Sequence, residues 1–231
     1  MKIGRFLPLT AAIAVLAVTV RAQSQPMEST QSTSGAGATA IFAGGCFWCV
    51  EQDFEKLPGV FDAESGYTAG RTENPSYESV SSGTTGHVEA VKVHYDPEKI
   101  SYGQLVEYFW RHIDPTVKDR QFCDTGTPYR SGIYWQNEAE REVVEASRDA
   151  LLASGRFKII YTEVAPATTF WRAEEYHQDY YKKNPLRYSY YRAVCGRDAR
   201  VAQIWGDKGK AGQPGEAAPK RISAGYSGSK E

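Results

Sequence analysis

Cysteine and histidine are scarce in this chain, and their scarcity argues against a zinc site. Each occurs four times among 231 residues, and the only Cys-x-x-Cys pair is formed by Cys46 and Cys49. None of the histidines stands at a ligand spacing from that pair. A structural zinc ion needs four such ligands, so we expect no metal site.

Charge of one sign is also lacking. The formal net charge is -1, and loss of Lys2, Arg5 and Arg21 with a cleaved leader would make the chain more acidic. Nucleic-acid binding proteins carry a basic patch or stripe. We therefore expect no nucleic acid as partner.

A long hydrophobic run is missing too, although a short one opens the chain. Lys2 and Arg5 precede an apolar stretch over residues 7–20, and residues 20–22 offer a small-residue cleavage site. The stretch is short for a membrane span, so the prediction is a signal peptide over residues 1–22, with an uncleaved membrane anchor as the alternative. The mature protein is then expected to be extracytoplasmic and free of the membrane.

Composition divides the remaining chain into three parts. Residues 23–38 are Ser, Thr, Gly and Gln with almost no apolar side chain, which predicts a flexible linker. Residues 206–231 are rich in Gly, Ala, Lys and Pro, which predicts a disordered tail. One folded domain over residues 39–205 remains, and we expect a monomer.

Hydrophobic periodicity within residues 39–205 alternates between the strand and helix periods. The strands predicted in this way span residues 39–43, 60–67, 87–95, 132–135 and 157–164. The predicted helices span residues 46–57, 101–113, 137–153 and 173–183. Residues 114–130 are predicted to be a long loop. This order indicates an α/β fold, a two-layer sandwich with helices on a mixed sheet.

The junction of the first strand and the first helix carries the leading candidate for chemistry. Two glycines precede Cys46 there, and Phe47 and Trp48 follow it. Free N–H groups and the positive end of a helix stabilise a thiolate, and glycines let a substrate approach the backbone. We take Cys46 as a candidate nucleophile; a buried structural cysteine is the alternative.

Glu89 is the candidate acid. Strand alternation puts it on the same inward face as Val91 and Val93. Burial of a carboxyl raises its pKa and keeps it protonated, which is the state that a proton donor needs. A glutamate neutralised by a buried arginine would give the same pattern.

Six segments, taken in order along the chain, resemble the methionine sulfoxide reductase A family. They are Gly45-Cys46-Phe47-Trp48 followed by Glu51, Asn74-Pro75-Ser76-Tyr77, Gly86-His87-Val88-Glu89-Ala90, Asp114-Pro115-Thr116, Gly126-Thr127-Pro128-Tyr129-Arg130-Ser131 and Glu175-Tyr176-His177-Gln178. Each segment alone is a weak signal. Their common order across nearly the whole predicted domain makes coincidence improbable.

The resemblance implies a ferredoxin-like core and reduction of the S epimer of methionine sulfoxide, free or in proteins. It implies that Cys46 attacks the sulfoxide sulfur and becomes a sulfenic acid while Glu89 protonates the departing oxygen. It also implies roles in holding the substrate oxygen and the substrate methyl group. The residues implied are Tyr77, Tyr129 and, through water, Asp124 for the oxygen, and Phe47 and Trp48 for the methyl group.

The recycling step departs from the family pattern. Many members carry recycling cysteines in a Gly-rich C-terminal tail, but residues 206–231 contain none. The candidates for resolving the sulfenic acid are Cys195, which we favour, then Cys49, and Cys123. Two of the four cysteines could instead form a structural disulfide, since export exposes them to an oxidising compartment. The resemblance implies no bound cofactor and a thioredoxin-like protein or dithiol as external reductant.

Two other functions fit the same residues. A general thiol–disulfide oxidoreductase would use Cys46 and Cys49 and would not need Glu89. A non-enzymatic peptide-binding domain would use Phe47, Trp48 and the tyrosines as an aromatic groove, and would bind its ligand without Cys46.

Overall fold

A computed structural model describes residues 37–206 of the chain. The predicted signal peptide, almost all of the predicted linker and the predicted tail lie outside these described residues. None of the helices between residues 37 and 206 combines the length and the apolar character that crossing a bilayer requires.

Strands and helices alternate along most of the described chain. The strands are β1 (Ala38–Gly44), β2 (Val60–Thr68), β3 (Val88–Tyr95), β4 (Arg120–Gln121), β5 (Asp124–Thr125), β6 (Ser131–Trp135), β7 (Glu163–Pro166) and β8 (Trp171–Arg172). The helices are α1 (Phe47–Glu55), α2 (Tyr77–Ser81), α3 (Tyr102–Trp110), α4 (Glu138–Ala153), α5 (Tyr180–Lys183), α6 (Pro185–Cys195) and α7 (Arg197–Trp205). A 3₁₀ turn spans Thr127–Tyr129.

Six of these strands form one mixed sheet in the order β7-β6-β1-β3-β2-β8. The β6–β7 pair is parallel, and the other pairs are antiparallel. The succession β1-α1-β2-β3-α3-β6, with the four strands adjacent as β6-β1-β3-β2, is the ferredoxin-like arrangement. The predicted fold class is therefore confirmed.

Helices cover one face of the sheet. Phe54 of α1 and Phe109 of α3 pack there against Phe42 of β1, with ring centroids 4.7 and 5.1 Å apart. On the opposite face, Val88 and Tyr134 form a smaller buried cluster. Glu89 lies on the helix face, so the strand alternation predicted its direction correctly.

Local caps explain where several elements begin. Ser101 and Gln104 form the predicted capping box at α3, with each side chain bonded to the other residue's backbone N–H. Asn137 caps α4 by accepting from the Glu140 N–H. These short polar side chains satisfy N–H groups that lack a partner within the first turn of a helix.

Two predicted elements are wrong. Of the predicted strand 157–164, only its last residues pair with the sheet, because Phe157 instead packs in the core at 5.1 Å from the Trp205 ring. The predicted helix 173–183 is mostly a turn. The side chain of Gln178 there bonds both backbone groups of Ser65, at 3.0 and 2.9 Å, and helix geometry resumes only at α5.

The sequence reasoning also missed structure after residue 183 and within the predicted loop 114–130. Helices α6 and α7 are separated by Gly196, which has a left-handed φ of 70°. Pro185 stands at the first helical position of α6, so a proline start and a glycine end were available as signals. Strands β4 and β5 pair within the loop region.

Candidate active site

Cys46 occupies the N-cap of α1, where the chain turns out of β1. Gly45 makes this turn with a φ of +83°, and a Cβ on it would lie 2.6 Å from Cβ of Gln121. A side chain at this position would therefore be both strained and in collision. The glycine lets the loop around Gln121 pack directly beneath the cysteine.

Cys46 and Cys49 form a buried pair of free thiols with side chains 6 % and 1 % exposed. Burial and a hydrogen bond with Cys49 raise the pKa of Cys46 well above its usual value. The same bond lowers the pKa of Cys49 to about 7, against the effect of burial and with help from Arg197 and Arg192. The sequence pointed to an ionised Cys46, whereas in the structure the pKa of Cys46 is raised and Cys49 is the more acidic thiol of the pair.

Glu89 reaches the N-terminus of α1 from the start of β3. Its Oε2 accepts a hydrogen bond of 3.0 Å from the Phe47 N–H, next to Cys46. The side chain is 3 % exposed, and burial raises the pKa of Glu89 to about 8 despite that bond. Glu89 is therefore protonated at neutral pH, and no arginine neutralises it among the hydrogen bonds and ion pairs of the described residues.

Two half-buried tyrosines, Tyr77 and Tyr129, lie near Glu89 and Cys46. Burial raises the pKa of Tyr77, and the charges of Glu89 and Cys46 act on it in the same direction. Burial also raises the pKa of Tyr129, as do the charges of Glu89, Tyr77, Asp124 and Cys46. Both hydroxyls thus stay protonated and able to donate. The predicted oxygen-binding tyrosines and the cysteine lie together although they come from α2, the 3₁₀ turn and α1.

Asp124 lies beside this group and is held by a residue that the sequence reasoning missed. The Tyr191 hydroxyl of α6 donates to Oδ2 of Asp124 at 2.8 Å and is also within hydrogen-bond reach of the Cys46 sulfur. Burial raises the pKa of Asp124, while the bond from Tyr191 lowers it. Tyr191 therefore connects α6 to the catalytic candidate.

Phe47 and Trp48 are fixed by aromatic neighbours. Trp48 stacks on Tyr180 with ring centroids 3.7 Å apart, and its indole N–H donates to Nδ1 of His177 at 3.1 Å. The His177 ring lies 4.9 Å from Phe47 and 4.4 Å from Tyr77. Burial lowers the pKa of His177 to about 4, so the ring is neutral and can accept the indole N–H.

His177 comes from the turn that replaces the predicted helix. The motif Glu175-Tyr176-His177-Gln178 carried the family resemblance, but we assigned no role to its histidine. The structure makes this buried ring the packing partner of both predicted methyl-binding residues. A lone histidine has no periodicity to mark it, so only the tertiary contact identifies it.

The other two cysteines are joined. Cys123, next to Asp124, forms a disulfide with Cys195 at the end of α6, closing a sequence separation of 72 residues. Cys123 is exposed, and its N–H lies 3.2 Å from the Cys195 sulfur. The favoured resolving cysteine, Cys195, is thus paired with Cys123, and the thiol in contact with Cys46 is Cys49.

The described residues include one further group with metal-ligand chemistry. Carboxylates of Glu51, Glu55 and Asp179 converge within 4.8 Å. Lys182 already occupies this group, at 2.6 Å from Glu55 and 2.7 Å from Asp179. Glu51 accepts from the Ser65 hydroxyl at 2.5 Å and joins α1 to β2. These carboxylates serve packing between elements.

The buried cysteine pair and the neutral Glu89 equip this site for thiol chemistry. Together with the fold, they define a thiol-dependent oxidoreductase. The family model described as Peptide methionine sulfoxide reductase matches residues 38–209. The chain belongs to the peptide methionine sulfoxide reductase family, as the sequence resemblance indicated.

Similar proteins and similar solved structures belong to the same family. The chain is 47% identical over 196 residues to "Peptide methionine sulfoxide reductase MsrA 2" of Caulobacter vibrioides, covering 85% of this chain and 95% of that protein. It is 48% identical over 170 residues to MsrA of Bacillus subtilis, covering 73% and 96%. Methionine sulfoxide reductase A of Corynebacterium diphtheriae has a similar structure, with a TM-score of 0.59 and 37% identity over 67% of this chain and 78% of that one.

Mxr1 from Saccharomyces cerevisiae in reduced form is also similar. Its TM-score is 0.62, with 32% identity over 66% of this chain and 88% of that chain. These similarities cover 66 to 85% of this chain, so they concern the domain as a whole. The domain is thus an oxidoreductase of this family.

Proposed function

We propose that the protein reduces the S epimer of methionine sulfoxide, free or within oxidised proteins, by attack of Cys46 on the sulfoxide sulfur. The observation that carries the proposal is the contact of Glu89 with the Phe47 N–H, which sets a neutral acid beside the cysteine. Sulfoxide oxygen leaves poorly unless it is protonated, and a buried carboxyl with a pKa of about 8 supplies that proton at neutral pH.

The first half of the reaction uses three groups. Cys49, the more acidic thiol of the pair, takes the proton of Cys46 while the Cys46 sulfur attacks the sulfoxide sulfur, so that no free Cys46 thiolate has to form against its raised pKa. Glu89 transfers its proton to the oxygen as the oxygen passes from the substrate sulfur to the cysteine sulfur. The products are methionine, a sulfenic acid at Cys46 and a Glu89 carboxylate.

Substrate placement follows from the surrounding rings. Tyr77 and Tyr129 would donate to the sulfoxide oxygen, because both lie close enough to Glu89 and Cys46 for the charges of those groups to raise their pKa values. Asp124, which acts on Tyr129 in the same way, would reach the oxygen through water. Donors aimed at developing charge in a dry site stabilise the transition state. Phe47 and Trp48 would hold the substrate methyl group between rings that their neighbours already fix.

The second half of the reaction closes a disulfide. Cys49 contacts Cys46 and would attack its sulfenic sulfur, forming the S–S bond as the S–O bond breaks. The protons that began on the Cys46 thiol and on Glu89 leave in the water molecule, so atoms and charge balance. This proposal replaces our preference for Cys195 with Cys49, our second choice, because Cys49 is already in place.

The Cys123–Cys195 disulfide would serve as an outer redox pair. Once reduced, it could open the Cys46–Cys49 bond by thiol–disulfide exchange and become oxidised in turn. Tyr191, one helical turn before Cys195 on α6, already touches Cys46, so the same helix serves both pairs. A thioredoxin-like protein or a dithiol would then reduce the exposed Cys123 side of this disulfide.

Location and assembly belong to the same proposal. Residues 1–22 would act as a cleaved signal peptide, and the mature enzyme would work outside the cytoplasm as a monomer. Fractionation of the expressed full chain, with the N-terminal mass of the product, tests this. Recovery of the uncleaved chain in the cytoplasmic fraction would overturn it.

The central test uses a racemic methionine sulfoxide peptide with dithiothreitol as reductant. We expect consumption of the S epimer alone, with a Cys46 sulfenic acid detected by mass after trapping. Cys46→Ser should show no consumption. Turnover of disulfide substrates without sulfoxide loss would favour the general thiol–disulfide oxidoreductase, and unchanged peptide binding with no reduction would favour the binding domain.

A further inference from the structure

A cluster of charged side chains lies beneath Cys49. Asp53 follows Cys49 by one turn on the same face of α1, and its side chain is 3 % exposed. Two arginines from the C-terminal helices converge on its carboxylate. Arg192 of α6 lies 2.9 Å from Oδ1, and Nε of Arg197 lies 3.5 Å from Oδ2.

Positive charge exceeds negative charge in this cluster. Arg192 also pairs with the exposed Asp198 at 2.6 Å, which balances its charge. Asp53 then faces two further cations, Arg197 and the exposed Lys56 at 3.4 Å. Burying an unpaired charge is costly, and a second anion in the cluster would offset that cost.

Arg197 is the member least compensated. Its side chain is 2 % exposed, and its NH1 and NH2 groups donate to the backbone carbonyls of Gly44 and His112 at 3.0 and 3.1 Å. Its Nε and the Oδ2 of Asp53, which face each other at 3.5 Å, both have no hydrogen-bond partner within the part of the chain that the structure describes. The guanidinium also lies 4.5 Å from the centroid of the Phe122 ring. A buried cation whose one ion-pair partner, Asp53, is shared with Arg192 is stabilised by a further negative group nearby.

Apart from Asp53 and the two arginines, the titratable groups packed around Cys49 are uncharged at neutral pH. Cys46 of the α1 N-cap donates to it, and Glu89 of β3 is neutral because burial raises its pKa to about 8. Tyr188 of α6 packs against it and stays protonated, since burial raises the pKa of this hydroxyl. Cys49 itself is the remaining group that can carry the charge.

We propose that Arg197 is a positioning residue that holds the negative charge of the thiol pair on Cys49. This inference rests on the proposed function, in which Cys49 first takes the proton of Cys46 and later attacks its sulfenic sulfur. Both steps need the Cys49 thiolate. Arg197, at the start of α7, thereby makes the C-terminal helices part of the redox site.

The first experiment titrates Cys49 alone. In a Cys46→Ser background with the Cys123–Cys195 disulfide intact, Cys49 is the single free thiol, so ultraviolet thiolate absorbance against pH reports its ionisation. We expect Arg197→Met to raise the midpoint by about one pH unit or more, as loss of a nearby opposite charge does. Asp53→Asn, which removes the negative member, should lower it.

Matched variants separate charge from packing. Arg197→Lys keeps the charge but loses the paired backbone bonds, and should restore most of the lower midpoint. Arg200→Met removes another α7 arginine, which pairs with Asp114 at 2.8 Å, and should leave the midpoint unchanged. Equal midpoints in Arg197→Met, Arg197→Lys and the parent would overturn the inference. So would an upward movement in Asp53→Asn, which remains informative if Arg197→Met does not fold.

The second experiment keeps Cys46 and follows one round of methionine formation and sulfenic acid decay against pH. Sulfenic acid decay should begin at higher pH in Arg197→Met than in the parent, with a loss of about fivefold at pH 7 that is recovered at high pH. If the parent forms no methionine at any pH, the proposed function fails. If it forms methionine and both profiles coincide, only the role of Arg197 fails.

Discussion

The Phe47 N–H donates to Oε2 of Glu89, and this one bond determines which end of the carboxyl can deliver a proton. An oxygen that accepts from an amide leaves the other oxygen, Oε1, to carry the hydrogen. The bond also joins the acid on β3 to the turn that holds Cys46, so donor and nucleophile keep a common frame.

Activity should depend on the protonated form of Glu89. With a pKa of about 8, the group is neutral below that pH and ionised above it, so methionine formation in a single turnover should fall as pH rises through 8. Glu89→Gln should keep more activity than Glu89→Ala, because its amide still donates a hydrogen bond to the oxygen while water supplies the proton, and it should lose this alkaline decline. Glu89→Ala should lose about 100-fold or more. Equal rates in the two variants would remove the donor role.

Stability should show the same ionisation. The pKa of Glu89 is raised in the folded state, so the folded chain binds a proton that the unfolded chain has lost between pH 4.5 and about 8. Its contribution to stability therefore falls as pH rises across that window, on the order of a few kcal/mol. Urea unfolding of the parent and of Glu89→Gln should diverge towards pH 8 in favour of the variant. Parallel curves would contradict the raised pKa.

The identity of the resolving thiol can be read from what accumulates without reductant. Cys49→Ser should form at most one methionine per chain, and more slowly than the parent because Cys49 no longer takes the Cys46 proton, and it should leave Cys46 as a trappable sulfenic acid. Cys195→Ser should also form methionine but should convert its sulfenic acid to a Cys46–Cys49 disulfide. Mass spectrometry of trapped peptides distinguishes them. Persistent sulfenic acid in Cys195→Ser alone would return the role to Cys195.

The Cys123–Cys195 disulfide should affect both stability and recycling. Removing a crosslink across 72 residues releases chain entropy in the unfolded state, which corresponds to about 4 kcal/mol. We expect Cys195→Ser to lose stability on this scale in thermal unfolding. It should keep dithiothreitol-dependent turnover and lose thioredoxin-dependent turnover. Full thioredoxin-dependent cycling would exclude the outer pair from the electron path.

Gly45→Ala should destabilise the fold more than a similar change elsewhere. Both Gly45 and Gly155 have positive φ, +83° and +71°, but a Cβ on Gly155 meets nothing within 4 Å, while one on Gly45 collides with Gln121. Gly155→Ala should cost about 1 kcal/mol for backbone strain alone. Gly45→Ala should cost about 1–3 kcal/mol more. Equal losses in denaturant unfolding would show that the close approach is relieved cheaply.

The sequence by itself determined the family through six ordered segments, and with it the ferredoxin-like core, and it also determined the start of a helix at Cys46 and the inward direction of Glu89. Glycine turns, capping residues and strand alternation depend only on residues that are close in sequence, so they can be recognised without the structure. The same reading placed the helix-forming segment after residue 173 too early and missed α6 and α7. Side-chain bonds such as that of Gln178 to Ser65 compete with local preference and are invisible in sequence.

Tertiary structure decided the partners of each thiol. The sequence offered three candidates for the resolving role, and folding paired Cys123 with Cys195 and set Cys49 against Cys46. It also placed Tyr191 and Arg197, more than 140 residues from Cys46, beside the thiol pair. Thiol ionisation depends on burial and on charges a few ångströms away, and a linear sequence specifies neither until the helices pack.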